Sequence, residues 1–256
     1  MKAGAIHAAA RGFELAPKPY EIGRPAYPPD AVEQLVSELG IGPGRRVLDL
    51  AAGTGKLTRL LAPTGADVVA VEPVKAMRAA LSASLAGVRA VSGTAEAIPL
   101  RDRSVDAVTV GQAFHWFDGD AALAEIHRVL RPAGRLGLIW NVKDESVDWI
   151  EKLGKIMESY RGDAPKVASG AWKDAFDRTK LFTPLQRARF SFVHDADFAA
   201  VVARVTSVSF IAALPPAEFA RVVDRVRILL ATHPETKGRM TFELPYRTGV
   251  YWAKRV

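Results

Sequence analysis

Two acidic residues and a glycine pair stand where two predicted strands end. Asp49 closes the first strand and precedes Gly53 and Gly55 in the stretch "VLDLAAGTGKLTRLL". Glu72 closes the second strand in "VAVEP". A glycine-rich turn between a strand and a helix lets the backbone approach a ligand closely. An acidic residue at the end of the second strand accepts hydrogen bonds from ribose hydroxyls. These residues together predict a nucleoside-binding site.

Three kinds of ligand are commonly bound at such a turn. A phosphate-binding P-loop needs GxxxxGK[ST], but "GTGKLT" lacks this spacing, and Lys56 follows the wrong glycine. A dinucleotide fingerprint needs a third glycine where Thr58 stands. The carboxylate of Asp49 would repel a pyrophosphate and would suit an ammonium or sulfonium group. The turn therefore favours a nucleoside with a cationic tail, and S-adenosyl-L-methionine has that shape.

His115 is the histidine that is placed for chemistry. It follows the predicted fourth strand in "GQAFHWFD", where a doubly wound sheet opens its crevice. The unperturbed pKa of a histidine suits a general base for a hydroxyl acceptor. The alternative is that His115 and Trp116 only form the pocket wall. Trp140 and Asn141, at the end of the predicted fifth strand, are also expected to face the acceptor.

The elements that would position these residues alternate between strand and helix. Short apolar runs rich in Val and Leu are typical of buried parallel strands. Their alternation with helical patterns predicts an α/β fold. We expect a doubly wound, Rossmann-like, seven-stranded, mostly parallel sheet with helices on both faces and a helical lid insertion at about 195–236. The expected strands are 45–50, 66–72, 88–93, 105–111, 134–141, 185–194 and 239–254.

We expect a single domain with three parts. An N-terminal arm and first helix, residues 1–40, would cover the site. Its proline-rich stretch "APKPYEIGRPAYPPD" is predicted to be extended or turning chain, because proline fixes φ and removes a hydrogen-bond donor. Residues 41–145 would form the cofactor-binding core. Residues 146–256 would supply the last strands and the lid.

The composition excludes several classes of site. The chain of 256 residues contains no cysteine, which excludes disulfides, thiolate catalysis and cysteine-based zinc sites. Its five histidines form no HxH or HExxH pair, so no metal is expected. An uninterrupted apolar run long enough to span a membrane is absent from the sequence. Arg11 and Glu14 interrupt any signal-peptide core, so a cytoplasmic location is the expectation.

The net charge of +7 raises the question of nucleic-acid binding. The Lys and Arg residues are scattered, and they form no run of five or more. We therefore expect a small-molecule acceptor rather than a nucleic acid, and a monomer or homodimer. Phe198 and Phe210 in the predicted lid favour a partly hydrophobic acceptor. Arg204, Arg221 and Arg225 could contact a carboxylate there or lie on solvated helix faces.

The stretch from Arg46 to Asn141 resembles the class I S-adenosylmethionine-dependent methyltransferases, in the methyltransferase type 11 domain. The matching pieces are "VLDLAAGTGKLTRLL", "VVAVEPVKAM", "SGTAEAIPLRDRSVDAVTVGQAFHWFD" and "EIHRVLRPAGRLGLIWN", in this order. The flanking "YEIGRPAYPP" and "QAFHWFD" resemble a small-molecule branch that includes trans-aconitate methyltransferase-like proteins.

The resemblance implies roles for the matching residues. Asp49 would lie near the methionine ammonium, Glu72 would bind the ribose, and Gln112 would face the methionine part. The remaining cofactor residues would be Tyr20 and Arg24 above the cofactor, Ala51, Gly53, Thr54 and Gly55 in the turn, and Pro73, Met77, Thr94, Ala95 and Glu96 around the adenine. His115 would be the catalytic candidate, and His115, Trp116, Trp140 and Asn141 would contact the acceptor.

The sequence departs from the family pattern at two positions. The family often has glycine where Ala51 stands, and aspartate where Thr94 stands. Thr94, Glu96 or a backbone carbonyl must then bind the adenine amino group. Structural alternatives also remain for other candidates: Asp49 could cap the following helix, and Met77 could belong to the core. Glu72 could be a solvated strand-end charge, and Tyr20 and Tyr27 could anchor the arm by packing.

Four functions remain open at this point. The first is S-adenosylmethionine-dependent methylation of O, N or C in a small molecule. A second is a binding-only, non-methylating member of the same fold, because Asp49 and Glu72 report cofactor binding alone. A third is methylation of RNA or protein, which would call for a basic face or an extra domain. An NAD-dependent dehydrogenase is weakened by the missing third glycine.

Overall fold

The structure, a computed structural model, describes residues 8–256, with side chains from residue 12 onward. The first seven residues of the predicted arm lie outside the described residues. A seven-stranded sheet runs in the order β3-β2-β1-β4-β5-β7-β6, as the alternation predicts. The strands are β1 (Arg46–Leu50), β2 (Asp67–Val71), β3 (Arg89–Val91), β4 (Val105–Gly111), β5 (Leu130–Lys143), β6 (Gln186–Asp197) and β7 (Thr241–Lys254).

The sheet is parallel from β3 to β5, and β7 runs antiparallel to both of its neighbours, β5 and β6. The predicted mostly parallel sheet is confirmed. The chain leaves β1 towards β2 on one side and returns to β4 on the other. The carboxyl ends of β1 and β4 therefore flank the point at which a doubly wound sheet binds its ligands.

Helices cover both faces of the sheet. They are α1 (Pro17–Gly23), α2 (Pro29–Leu39), α3 (Thr58–Leu61), α4 (Lys75–Ser84), α5 (Gly119–Val129), α6 (Asp148–Glu158), α7 (Asp174–Arg178), α8 (Phe198–Thr206), α9 (Ser209–Ala212) and α10 (Pro216–Thr232). Adjacent residues of a strand point to opposite faces. Accordingly, Val47 packs with Leu35 of α2, whereas Leu48 packs with Leu123 of α5.

The predicted lid insertion is present between β6 and β7 as α8, α9 and α10. These helices pack with α6 around a hydrophobic cluster of their own, which includes Ile150, Val201 and Val226. This cluster also includes Phe242, Leu244 and Tyr246 of β7, so the inserted helices form a cap that packs on the β6–β7 end of the sheet. The division of the chain into arm, core and C-terminal part stays a prediction. Among the described residues, no helix is both long and apolar enough to cross a membrane.

The arm differs from the prediction. Residues Pro17–Gly23 form a helix, so extended or turning chain was wrong for this stretch. The first turn of a helix tolerates proline, because its N–H groups lack a helical partner in any case. Packing then stabilises the helix against α8. A Cβ at Gly23 would lie 2.1 Å from the Arg204 backbone nitrogen, so only glycine permits this close approach.

Candidate active site

The carboxyl ends of β1, β2 and β4 surround an open cleft of about 820 Å³. Most of the predicted cofactor residues line it. They are Tyr20, Ala51, Gly53, Glu72, Pro73, Met77, Thr94, Ala95, Glu96 and Gln112, together with Trp116, which was predicted on the acceptor side. The structure thus brings together residues of the arm, the glycine turn and the ends of separate strands in one cleft.

The turn after β1 has an unusual backbone. Ala51, Gly53 and Gly55 all have positive φ, at 56°, 59° and 86°. A residue with a Cβ is destabilised in this region by roughly 1–2 kcal/mol. This explains why glycine is the expected residue at the position of Ala51. Gln112, at the end of β4, has a φ of 60°. Backbone strain of this kind concentrates at ligand sites, and both strained residues line the cleft.

Glu72 connects the floor of the cleft to the turn. Its Oε2 accepts a hydrogen bond from Gly53 N–H at 2.8 Å, and its Oε1 accepts one from Val74 N–H at 2.8 Å. Burial raises the pKa of this carboxyl to about 7, although the two backbone hydrogen bonds lower it. The residue is 5% exposed, so the alternative of a solvated strand-end charge does not fit. Each carboxylate oxygen retains a second lone pair with which to accept a ligand hydroxyl.

Four predicted cofactor residues do not line the cleft: Arg24, which lines the second cavity described below, and Asp49, Thr54 and Gly55. Asp49 is fully buried and accepts hydrogen bonds from the hydroxyls of Thr58 at 2.5 Å and Thr109 at 3.1 Å. Its burial raises the pKa of the carboxyl to about 6, and the backbone N–H of Thr58, the first residue of α3, also donates to it. This geometry matches the capping alternative. The hydroxyl of Thr54 donates a hydrogen bond to Glu21 Oε2. Gly55 lies against Leu81, which a Cβ at this position would contact.

The predicted adenine edge of the cleft includes a polar group that has no partner among the described residues. Thr94 Oγ1 is buried and has no hydrogen-bond partner among the described residues. Glu96 Oε1, in contrast, already accepts a hydrogen bond from Asp118 N–H at 3.0 Å. Thr94 Oγ1 is therefore free to accept from an adenine amino group, and the Glu96 carboxylate also retains lone pairs, so both residues remain candidates.

A second cavity, which we call the chamber, adjoins the cleft and has about 1070 Å³ of space including its open mouth. The cleft and the chamber share Phe13, Tyr20, Gln112 and Trp116 as walls. The rings of Phe13 and Trp116 meet edge to face at 6.1 Å. A group bound in the cleft can therefore face a group bound in the chamber across this junction.

The chamber contains buried cations without acidic partners. Arg24 Nε, Lys143 Nζ and Arg204 Nε and Nη1 are buried and have no hydrogen-bond partner within the described chain. Burial, then the charge of Arg204, lower the pKa of Arg24 to about 10. Burial, and next Arg204, lower the pKa of Lys143 to about 7. A buried, unpaired charge is costly, so these groups are arranged for a ligand that carries negative charge.

The acidic residues of the chamber do not neutralise this cluster. Glu158 is already paired, because Arg161 Nε lies 2.9 Å and Lys166 Nζ 3.5 Å from its Oε2. Glu145 also lines the chamber, but it is exposed to solvent. Arg24, Lys143 and Arg204 appear in no ion pair formed among the described residues. The chamber is therefore electropositive.

His115 lines the chamber, as predicted, but its ring is not free to act as a base. Trp140 Nε1–H donates to His115 Nδ1 at 3.4 Å. Because an indole nitrogen can only donate, Nδ1 must be the acceptor, and the neutral ring carries its proton on Nε2. Burial, then Arg24 and Arg161, lower the pKa of His115 to about 3. His115 thus fits the wall alternative, with Nε2–H as a hydrogen-bond donor.

Trp140 does not face the acceptor, which corrects that prediction. It is 1% exposed and its ring lies 4.5 Å from that of Trp172 in the core beneath His115. Asn141 does line the chamber, but its amide is occupied. Its Nδ2 donates to Ala26 O at 3.0 Å, and its Oδ1 accepts from Thr248 Oγ1 at 2.7 Å. Asn141 therefore holds the arm against the sheet.

Sequence reasoning missed most of the cationic residues of the chamber. Lys143 and Arg161 were not singled out. Arg204 was left between a carboxylate contact and a solvated face, and the structure places it in the chamber. Arg221 is exposed on α10. Phe210 lines the chamber as expected of the lid, whereas Phe198 is 40% exposed to solvent.

A group of potential metal ligands lies apart from both cavities. Asp148, His233 and Glu235 each offer an oxygen or nitrogen atom within 4.8 Å of the others. Lys152 Nζ already lies 2.6 Å from Asp148 Oδ2 and 3.2 Å from His233 Nε2. This carboxylate therefore has a cationic partner from the chain itself.

Comparison with known proteins agrees with this geometry. The model of a methyltransferase domain matches residues 48–138, which include the glycine turn and Glu72. An uncharacterized methyltransferase of Mycobacterium tuberculosis is 44% identical over 229 residues, which cover 90% of this chain and 89% of that protein. The chain belongs to the methyltransferase family. An uncharacterized methyltransferase-like protein of Schizosaccharomyces pombe is 36% identical over 92% of both chains.

Solved structures agree on the fold of this methyltransferase. A putative type II methyltransferase from Anaeromyxobacter dehalogenans superposes with a TM-score of 0.64 at 23% identity. The match covers 91% of this chain and 97% of the other. It supports the class I, Rossmann-like methyltransferase fold. These matches identify the family and not one branch of it.

Proposed function

We propose that this methyltransferase transfers the methyl group of S-adenosylmethionine to a carboxylate oxygen of a small anionic acid. The observation that carries this proposal is the set of buried cations, Arg24, Lys143 and Arg204, that lack acidic partners at the chamber. A carboxylate is the acceptor that these groups would bind with charge-assisted hydrogen bonds.

The cleft supports the cofactor assignment. Glu72 is anchored by two backbone N–H groups and lines the cleft at the end of β2, where a ribose would bind. Met77 and Pro73 line the same cleft and offer apolar surfaces to an adenine ring. Gln112 lies at the junction with the chamber, where the methionine part and its sulfonium methyl would lie.

The reaction would be an in-line displacement at the junction. A carboxylate oxygen forms a bond to the methyl carbon while the carbon–sulfur bond breaks and its electron pair passes to sulfur. The products are a methyl ester and S-adenosyl-L-homocysteine, and no proton is transferred. The sulfonium is already an activated donor, so the protein chiefly positions the two reactants and excludes water.

The state of His115 supports a carboxylate over a hydroxyl acceptor. A hydroxyl acceptor would need a base, but His115 Nδ1 is occupied by the indole N–H of Trp140. Its Nε2–H can instead donate to an acceptor oxygen and orient it. The ester carries one negative charge less than the acid, so the cations of the chamber bind the product more weakly than the substrate.

The size of the chamber supports a small acceptor. Its space of about 1070 Å³, which includes its open mouth, leaves room for a small molecule. The cap residues Arg204 and Phe210 close it on one side. A protein or RNA acceptor would have to enter past α8, which packs on α1 at Gly23.

The test is turnover on matched acceptors. The purified enzyme is incubated with S-adenosylmethionine and aliphatic mono- and dicarboxylic acids, or with the amides of the same acids. We expect S-adenosylhomocysteine and a base-labile methyl ester from at least one acid, and no reaction with its amide. Methylation of the amides at equal rates, or of RNA in preference to the acids, would contradict the proposal. Binding of the cofactor without methylation of any acceptor would favour the binding-only alternative.

A further inference from the structure

Lys143 has an environment that the methyl transfer described above does not use. It is the last residue of β5 and lies opposite Tyr246 of β7. Its Nζ is buried and finds no hydrogen-bond partner in the part of the chain that the structure describes. Lysine ammonium groups are strongly hydrated and are rarely buried unless they are paired. This position therefore needs an explanation.

The charges around Lys143 are mostly of its own sign. Three arginines act on it through their charges: Arg24 directly after α1, Arg204 of α8, and Arg161 in the segment after α6. Glu145, two residues further along the chain, is the acidic group that acts on it. The other titratable groups that line the chamber are Tyr20, His115, Glu158 and Lys166.

This environment opposes protonation of the free amine. Burial first, and then the charge of Arg204, lower the pKa of Lys143 from 10.5 to about 7, while Glu145 raises it. Near neutral pH the empty chamber therefore holds Lys143 partly as the neutral amine. A carboxylate that enters the chamber would reverse the balance, because an opposite charge favours the ammonium form.

We propose that Lys143 binds the carboxylate of the acceptor and takes up one proton from solvent as that anion enters the chamber. This inference rests on the proposed function. The proton goes to Nζ, where the resulting ammonium donates to the acceptor. When the carboxylate becomes an ester, its charge is lost and the proton returns to solvent as the product leaves. Acceptor affinity in the wild type then falls as pH rises above about 7.

A competing role for Lys143 is that of a general base. A neutral amine could remove a proton from a hydroxyl acceptor, as buried lysines do in other settings. The two roles differ in the effect of arginine. Arginine remains protonated, so Lys143→Arg retains a carboxylate-binding cation but cannot act as a base. Lys143→Met removes both capacities.

The experiment is calorimetry on the complex of the full chain with S-adenosylhomocysteine, with glutarate and inorganic phosphate as probes. Each titration near pH 8 is made in PIPES and in Tris, whose ionisation enthalpies differ. The difference in observed enthalpy gives the number of protons taken up on binding. The variants are Lys143→Arg and Lys143→Met, with Lys155→Met on the exposed face of α6 as the matched control.

We expect proton uptake on glutarate binding in the wild type and in Lys155→Met, and none in either Lys143 variant. Lys143→Arg should keep the glutarate affinity within about threefold, whereas Lys143→Met should lose at least about tenfold. Equal uptake in Lys143→Arg and the wild type would overturn the role of Lys143, and so would undiminished affinity in Lys143→Met. Thermal melts of each variant separate lost binding from lost folding.

The outcomes distinguish this inference from the proposed function. Binding of glutarate without linked proton uptake refutes the role of Lys143 and leaves the anionic acceptor intact. If neither glutarate nor phosphate binds the wild-type complex, the anion-binding chamber is itself refuted, and the proposed function with it. Turnover of an acid that is abolished in Lys143→Arg while its binding is retained would assign Lys143 as a base instead.

Discussion

Replacing Glu72 with glutamine should weaken cofactor binding far more than it weakens the fold. The two carboxylate oxygens each accept one backbone N–H, from Gly53 and Val74, at 2.8 Å. Glutamine offers one oxygen and one amide nitrogen, so one backbone N–H would face another donor. The lost hydrogen bond should lower the free energy of unfolding by on the order of 1 kcal/mol.

The effect on the ligand should be larger. In the wild type, two ribose hydroxyls can donate to an ionised carboxylate, and hydrogen bonds to charged groups contribute about 1.5–3 kcal/mol each. Glutamine removes one such acceptor and the charge behind the other. We therefore expect a loss of about 2–3 kcal/mol, or roughly a 30- to 150-fold rise in the Kd of S-adenosylhomocysteine.

The pH dependence gives a second readout of the same residue. The pKa of Glu72 is raised to about 7, so its ionised form declines as pH falls through 7, and cofactor affinity should decline with it. In Glu72→Gln this dependence should disappear, apart from any contribution of Asp49, whose pKa is about 6. The stability of the unliganded protein should change with pH in the opposite direction to the cofactor affinity. Because the pKa in the folded protein lies above the ordinary value of 4.5, ionisation of Glu72 costs stability as pH rises from about 4.5 to about 7.

The assay is calorimetry with S-adenosylhomocysteine near pH 8 and near pH 6, together with thermal melts of the unliganded proteins. Asp67→Asn is the matched control, because Asp67 begins the same strand and its side chain is 66% exposed. The reasoning is refuted if Glu72→Gln binds within about twofold of the wild type, or if it keeps the same pH dependence around 7.

Three further predictions follow from the same geometry. Ala51→Gly should raise the free energy of unfolding by about 0.5–1 kcal/mol, because it relieves the positive φ at a smaller entropic cost; a lower melting temperature would contradict this. His115→Gln should lower kcat/KM about tenfold without changing the pH profile of kcat/KM between about pH 5 and 8, because His115 does not titrate in that range. If the variant instead loses one limb of that profile, His115 acts as a base. Arg204→Met should raise the acceptor KM by roughly 10- to 100-fold and leave the Kd of S-adenosylhomocysteine within about twofold. The control Arg221→Met, at an exposed residue of α10, should change neither constant. Equal losses in both constants would place Arg204 at the cofactor.

The parallel part of the sheet was predictable because its signal is local. Buried parallel strands read as continuous apolar runs, and Glu72 and the glycine turn directly follow two of them. Ala51 shows the same logic at one residue, since its φ of 56° explains the preference for glycine there. The helix at Pro17–Gly23 was missed because its prolines were taken as breakers, although they lie in its first turn.

Other features depend on contacts between distant segments, and sequence reasoning could not supply them. The partners of Asp49 include Thr109 on a neighbouring strand, which no local pattern links to it. The cations of the chamber include Arg24, Lys143 and Arg204, which come from the residue after α1, from β5 and from α8. The inward orientation of Trp140, in contrast, could have been predicted from the residue pattern of β5. It shares its face of β5 with Leu136 and Leu138 by the period of two, and both pack in the same cluster.

The proposed methyl transfer requires above all that the cleft binds S-adenosylmethionine. The most direct measurement is calorimetry of the purified protein with S-adenosylmethionine, S-adenosylhomocysteine and NAD, beside Asp49→Ala and Glu72→Ala. We predict binding of both adenosyl ligands, strong loss in Glu72→Ala, a smaller loss in Asp49→Ala because that side chain supports the turn from beneath, and no heat with NAD. Binding of NAD, or of none of the three ligands, would contradict the assignment of the cleft to S-adenosylmethionine.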